Sequence, residues 1–257
     1  MAMRNRQKKE GPRAMKDYKP VMSFNEQVAR SDRDFVRGDE VAAVAFLERL
    51  AGPGPALELG IGTGRIALPL AARGIRVDGI DLSPAMVDQL RTRPGGDRLS
   101  VTIGDLADVP VSGAYRLIYV LFNTLFNLLT QEAQVRCFEN VAAHLADDGS
   151  FVVEAIVPAF LYRLRDDQYV NAENIEVDEV RLDLLRHDPA TQMLEESHVS
   201  LSQAGVRLNP VVQRYAWPSE LDLMARIAGL RLKERWGGWT REPFNSSSAA
   251  HVSVYGR

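Results

Sequence analysis

One cysteine in 257 residues, Cys137, excludes an internal disulfide. It falls in the helical pattern of Val135, Phe138, Val141 and Leu145, reads as a buried thiol, and suits a reducing, cytoplasmic setting. Excess positive charge is also missing. With 31 Lys and Arg against 34 Asp and Glu, the net charge is -3 and the pI about 5.9. No basic field is available to gather phosphates, so a small-molecule partner is expected rather than a nucleic acid. No apolar run reaches the length of a membrane span or a signal-peptide core, so no membrane partner is expected. No metal ligand set is read from the chain. Its length suits one well-filled core with an insertion, not two full domains.

What is present begins with a basic segment at residues 1–20, MAMRNRQKKEGPRAMKDYKP, read as a solvated tail or, alternatively, as a lid or partner-binding arm. From Asp39 onward helices and strands alternate with little padding. Val41, Val44, Leu47 and Leu50 mark a helix. Residues 56–59 and 75–80 read as the first two strands, and Ser83-Pro84 caps the helix after the second, with serine at the N-cap and proline at the first helical position. Residues 99–103, 115–121 and 151–157 supply three more strands, and a helix at 130–145 separates the last two. Pro69 is tolerated near the start of the first crossover helix, where its missing N–H costs little. Alternation of this kind predicts an α/β fold: a mostly parallel sheet with helices on both faces, binding ligands at its carboxyl edge.

The stretch ALELGIGTGR, residues 56–65, places Gly60, Gly62 and Gly64 at the first strand-to-helix crossover, where a ligand can approach the backbone. The spacing G-x-G-x-G departs from the dinucleotide fingerprint G-x-G-x-x-G. Asp81 closes the second strand about twenty residues beyond Gly60, where a carboxylate can accept both hydroxyls of a ribose. The third strand ends at Gly104, Asp105 and Leu106, with a carboxylate and backbone N–H groups suited to an adenine edge.

In order, ELGIGTGR, GIDLSPAMV, IGDL and the aromatic, amide-containing LFNTLF resemble the motifs of class I S-adenosylmethionine-dependent methyltransferases over residues 57–154. The resemblance implies a Rossmann-like seven-stranded sheet ending in an antiparallel hairpin, for which 230–236 and 250–255 are candidates after a helix at 218–229. It implies S-adenosyl-L-methionine as cofactor, with Glu58, Gly60, Gly62 and Gly64 at its methionine end. Asp81 then serves the ribose, Leu82 and Met86 an adenine face, and Gly104, Asp105 and Leu106 the adenine edge. Leu121, Phe122 and Asn123 lie near the sulfonium. A cationic sulfonium suits such carboxylates better than lysine or arginine would. A nicotinamide-dependent oxidoreductase and a non-catalytic binder of the same nucleoside are the alternatives that a glycine turn leaves open.

Residues 158–217 depart from a minimal fold. A short helix around Leu161, Tyr162 and Leu164 is followed by strands at 175–185, 193–202 and 206–215, whose turns predict antiparallel pairing. Leaving the sheet at its carboxyl edge, this segment reads as an acceptor-binding cap, with 21–157 and 218–257 as the core. It also suits a dimerisation ribbon, so a homodimer is the alternative. Tyr215, Trp217, Trp236 and Trp239 are candidate acceptor contacts. Glu154 is the candidate proton acceptor if the acceptor is a hydroxyl, and otherwise pairs with backbone or an arginine. The D/N-P-P-Y/F motif of nucleobase or glutamine amino methyltransferases is absent: the loop reads Phe122-Asn123-Thr124-Leu125. His187 falls at a turn and should meet solvent, His144 suits a helix C-terminus, and His198 is left undecided. The polar face of His251, Ser253 and Tyr255 could look into a cleft.

Overall fold

The computed structural model describes residues 17–32 and 36–257. Seven strands form one sheet: β1 (Ala56–Leu59), β2 (Val77–Asp81), β3 (Ser100–Ile103), β4 (Tyr115–Val120), β5 (Leu145–Ile156), β10 (Arg231–Trp236) and β11 (Ala250–Gly256), in the order β10-β11-β5-β4-β1-β2-β3. Pairings among β1 to β5 are parallel, and β11 runs antiparallel between β5 and β10. Continuous burial across β1 and β2 follows from helices covering both faces. One face packs under α5 (Gln131–His144) and α6 (Pro218–Ile227), and the other under α2 (Glu40–Ala51) and α3 (Ala67–Ala72). Pro69 thus sits in the first turn of α3, where no helical N–H is lost. Ser83 caps α4 (Pro84–Arg91), its hydroxyl accepting from the Met86 N–H at 3.2 Å.

Strand order reverses between β1 and β4, so the glycine turn after β1 and the loop after β4 diverge around a crevice at the carboxyl edge. Above that edge stands a second sheet of four antiparallel strands: β6 (Gln168–Ile175), β7 (Glu179–Asp188), β8 (Met193–Ser202) and β9 (Gly205–Arg214). The insertion therefore has four strands, not three. The extra edge strand β6, sequence QYVNAENI, is largely exposed and lacks the apolar alternation that marks a half-buried strand. Arg214 fastens the sheet's base, bonding Gln134 on α5 at 2.7 Å, Gln192 at 3.0 Å and Glu220 on α6 at 2.8 Å.

The basic segment falls mostly outside the described residues, which begin at Asp17. Its last residues are not free: the Tyr18 hydroxyl lies 2.6 Å from that of Ser23. A 3-10 turn, Pro20–Phe24, and α1 (Glu26–Asp32) cross from the core to the second sheet. Ser23 Oγ donates to the Pro210 carbonyl on β9 at 2.7 Å, while Ser83 Oγ donates to the Phe24 carbonyl at 2.5 Å. Among the described residues no helix is long and apolar enough to cross a membrane.

The expectation for His187 fails, and the undecided His251 is placed in the core. His187 is 3% exposed because β7 carries it under Tyr215, whose hydroxyl lies 2.9 Å from Nε2. His251, Ser253 and Tyr255 face inward beneath α6 rather than into a cleft: His251 Nδ1 lies 2.9 Å from Ser253 Oγ, and Tyr255 donates to Asp222. Burial holds the His251 imidazole down at about 3, hence neutral.

Candidate functional site

A cavity of about 620 Å³ opens at the carboxyl edge, bounded by the glycine turn, the β4 loop, α1 and the second sheet. Its floor is Gly60, Ile61 and Gly62, with Glu58 behind them and Asp81, Leu82, Met86, Asp105 and Leu106 along one side. Gly60 and Gly62 have φ of 78° and 54°, a region that side chains resist. A Cβ on Gly62 would meet nothing nearer than Met86 Cε at 3.8 Å, so this backbone is open to a ligand. Gly64 and Gly104 serve packing instead: a Cβ would strike Leu90 at 2.3 Å or Pro110 at 2.7 Å. Neither they nor Leu121, which is buried in the core against the α2 face, line the cavity.

Asp81 shapes the turn as well as facing the cavity. One carboxylate oxygen accepts from the Gly62 N–H at 2.7 Å and the other from Ser83 at 2.8 Å. Burial pushes its carboxyl above the usual range, and those two N–H groups act against the rise. Glu58 is more extreme: burial pushes it up to about 8, with the Tyr119 hydroxyl, 3.1 Å away, pulling down and Asp81 pushing up. Two buried carboxylates facing one cavity make a site suited to a positive ligand.

The raised carboxyl has a measurable consequence. Its folded value lies above the ordinary glutamate value of about 4.5, so its contribution to stability is full below about pH 4.5 and lost as pH rises toward 8. Glu58→Gln keeps an acceptor for Tyr119 without the charge. The ligand-free variant is therefore expected to melt above the wild type at about pH 8, the difference closing below about pH 5 in a differential scanning experiment. Equal melting temperatures throughout would contradict the assignment.

Phe122 and Asn123 follow β4 with φ of 55° and 61°, two consecutive left-handed residues that are not glycine. Their strain is held by Asn123 Oδ1, which accepts from the Ile156 N–H at 2.8 Å, and by the Phe122 N–H, which donates to Glu154 at 3.0 Å. The Phe122 ring lies under two guanidiniums, Arg37 at 4.3 Å and Arg65 at 5.1 Å. Arg65 pairs with Asp32 of α1, whose other oxygen accepts from Thr63 at 2.8 Å, joining α1 to the turn.

Glu154 lies at the cavity wall, 5% exposed, and both its oxygens are engaged. Oε1 accepts from Arg37 at 2.9 Å and Trp239 Nε1 at 3.2 Å; Oε2 accepts from Arg37 at 3.2 Å and Phe122 N–H. The carboxylate is a clasp between the segment before α2, the β4 loop and the 236–239 loop, and it makes the pairing with an arginine and backbone that is one of its two expected roles.

The four aromatic candidates stand away from the cavity. Trp239 is buried edge-on against Phe46 at 5.5 Å. Trp236 donates to Glu234 at 2.9 Å. Tyr215 is fully buried, its hydroxyl 2.9 Å from His187 Nε2 and 2.9 Å from the Tyr162 hydroxyl, and Trp217 packs on Tyr162 at 5.7 Å. None of the four lines this cavity; Tyr215 and Trp239 are buried, while Trp217 and Trp236 are half-buried. Trp239→Ala is accordingly expected to cost about 3–5 kcal/mol in denaturant unfolding, through the vacated core and the lost donor to Glu154. A change in activity with stability intact would restore a direct acceptor role.

The second sheet sends other residues to the cavity: His198, Asn209, Val211 and Gln213. Register places His198 opposite Asn209, and Asp183 Oδ1 holds His198 Nδ1 at 2.6 Å. With Ser23, Phe24, Asp32, Arg37 and Asn127, these line the site without a motif to mark them.

Residues 56–149 match the model of a methyltransferase domain. The chain is similar to the CcbJ methyltransferase of Streptomyces caelestis, with a TM-score of 0.87 and 37% identity over 93% of this chain and 99% of that one. The chain belongs to the class I S-adenosylmethionine-dependent methyltransferases. It uses S-adenosylmethionine, and the second sheet is part of the shared architecture. A cypemycin N-terminal methyltransferase of a Streptomyces species is 27% identical over 203 residues, 78% of this chain and 82% of that protein. The amino pentose methyltransferase CalS10 of Micromonospora echinaspora shares the methyltransferase fold at a TM-score of 0.66 and 20% identity, over 89% of this chain and 95% of that one.

Proposed function

We propose that this methyltransferase places a methyl group on the nitrogen of a small-molecule amine. S-adenosylmethionine supplies a methyl carbon already activated by positive sulfur. Glu58 and the Gly60 and Gly62 backbone hold its methionine end, Asp81 the ribose hydroxyls, Met86 and Leu82 one adenine face, and Asp105 the adenine edge. Strained Phe122 and Asn123 line the path to the sulfur. The protein's task is then to align nucleophile and methyl carbon and to exclude water, which is worth roughly 7–11 kcal/mol. Pro20–Phe24, α1 and the second sheet close over the site for that purpose.

The engagement of both Glu154 oxygens carries the choice of nitrogen. A hydroxyl acceptor needs a strong base at the reacting end, and the carboxylate best placed to be one is fully occupied. An amine needs only to shed the proton of its ammonium form, which the His198 imidazole at the cavity edge, oriented by Asp183, can receive. The two relatives named for an N-terminal amine and an amino sugar support the same reading. The test is a panel of amines, each paired with the alcohol of the same skeleton, incubated with S-adenosylmethionine and read by mass gain of one methyl group. Gain on an amine and not on its alcohol is expected; methylation confined to the alcohols would overturn the assignment.

A further inference from the structure

The 3-10 turn Thr124–Asn127 carries the cavity's chemistry away from the glycine turn. Its first residue already touches that turn: a Cβ on Gly60 would lie 2.5 Å from Thr124 Cγ2. Three residues on, Asn127 is 8% exposed, lines the cavity, and has its Oδ1 buried without a hydrogen-bond partner. The strand β9 packs against the same 3-10 turn, and Asn209 on it also lines the cavity and has a second buried amide oxygen without a partner. A buried, unpaired acceptor costs about 1–3 kcal/mol, and folded proteins leave few of them. Two in one cavity, on elements that pack against each other, describe a place for a ligand that brings hydrogens.

We infer that Asn127 and Asn209 are the acceptor subsite, and that the acceptor nitrogen is a primary amine. The inference rests on the amine reading above and narrows it. A hydroxyl carries one hydrogen and satisfies one amide oxygen. A neutral secondary amine also has one. A neutral primary amine has two, so it can donate to both oxygens while its lone pair stays free to attack the methyl carbon. The same two contacts help to aim that lone pair, since fixing both N–H bonds leaves only two tetrahedral positions on nitrogen, one for the carbon substituent and one for the lone pair. Asn127 belongs to the segment that borders the cofactor turn, whereas Asn209 belongs to the inserted sheet, so the subsite assembles only where the two layers meet.

The experiment takes the best primary amine from the paired panel, its N-methyl derivative and its alcohol analogue as probes. Initial rates are measured for wild type, Asn127→Leu, Asn209→Leu and Asn127→Asp, alongside calorimetric titration with S-adenosylhomocysteine. Each leucine variant is expected to raise KM for the primary amine roughly tenfold or more, through a lost hydrogen bond and an uncompensated one. S-adenosylhomocysteine affinity should stay within about twofold of wild type, because both residues belong to elements other than the glycine turn and the ends of β2 and β3 assigned to the cofactor. Asn127→Asp, which keeps an oxygen at the same place, should recover most of the loss, a rescue that a packing role would not give. Wild type should also prefer the primary amine to its N-methyl derivative, and lose that preference in the leucine variants. If wild type methylates only the alcohol, the amine reading fails and this inference with it. If it methylates the amine but both leucine variants keep its KM, the subsite alone is overturned. A parallel loss of S-adenosylhomocysteine affinity in the variants would overturn it as well.

Discussion

Asp81→Ala is expected to weaken S-adenosylhomocysteine by at least tenfold and roughly to a hundredfold in a calorimetric titration. Charge-assisted bonds to ribose hydroxyls account for about 1.5–3 kcal/mol of that. A second loss adds to it, because the same carboxylate accepts from the Gly62 and Ser83 N–H groups and so holds the turn in shape. The substitution therefore also lowers the melting temperature of the ligand-free protein. Asp81→Asn separates the two effects: its one carbonyl oxygen can keep one of the two backbone contacts, so the fold suffers less than the affinity. Affinity unchanged in both variants would place the nucleoside elsewhere.

Gly60→Val is expected to abolish measurable cofactor binding. Its φ of 78° is hostile to a β-branched side chain, and the first added carbon would lie 2.5 Å from Thr124 Cγ2. Relief would require the turn to flatten or the β4 loop to retreat, and either movement disrupts the cavity floor. Gly62→Val is milder for the fold, since space is open before it, but its branches would project where the ligand should lie. The pair distinguishes a turn needed for shape from a turn needed for access. Gly60→Val is read by soluble yield and melting temperature together with titration, and normal binding by a folded Gly60→Val protein would refute the role of the turn.

The part of the cavity proposed for the cofactor is legible in the sequence because its residues obey local rules. Glu58, Gly60, Asp81 and Asp105 all stand at or just beyond the ends of strands whose apolar runs announce them, and every such end meets the same edge of a parallel sheet. Ser83 and Pro84 announced α4 in the same way. The acceptor half has no such signal. Arg37 lies in an aperiodic segment, and its partner Glu154 is 117 positions away, so neither residue predicts the other. Asn127 and Asn209 are ordinary amides until the 3-10 turn and β9 are packed together. The tryptophans carry an ambiguous signal for a physical reason: an aromatic ring at a carboxyl-edge loop fits a ligand and a core equally well, and Trp239 packs in the core against Phe46. The strand β6 escaped because an exposed edge strand needs no apolar alternation.

Closing the cavity also fell to a segment without a motif. Pro20–Phe24 and α1 are joined to the inserted sheet by Ser23, to α4 by the Phe24 carbonyl and to the glycine turn by Asp32. These few polar contacts join three separate parts of the chain around one opening. That arrangement suits a cover which must release a product, since hydrogen bonds at a partly exposed edge are replaced by water at small net cost.

The most direct measurement is a crystal structure of the protein with S-adenosylhomocysteine and the primary amine from the paired panel. The account predicts ribose hydroxyls within hydrogen-bond distance of Asp81, the homocysteine amino group on the Glu58 side of the glycine turn, and the amine nitrogen between the Asn127 and Asn209 oxygens. A nucleoside bound away from Asp81, or an amine seated among Tyr215, Trp217 and Trp236 with Asn127 and Asn209 still unpaired, would contradict it.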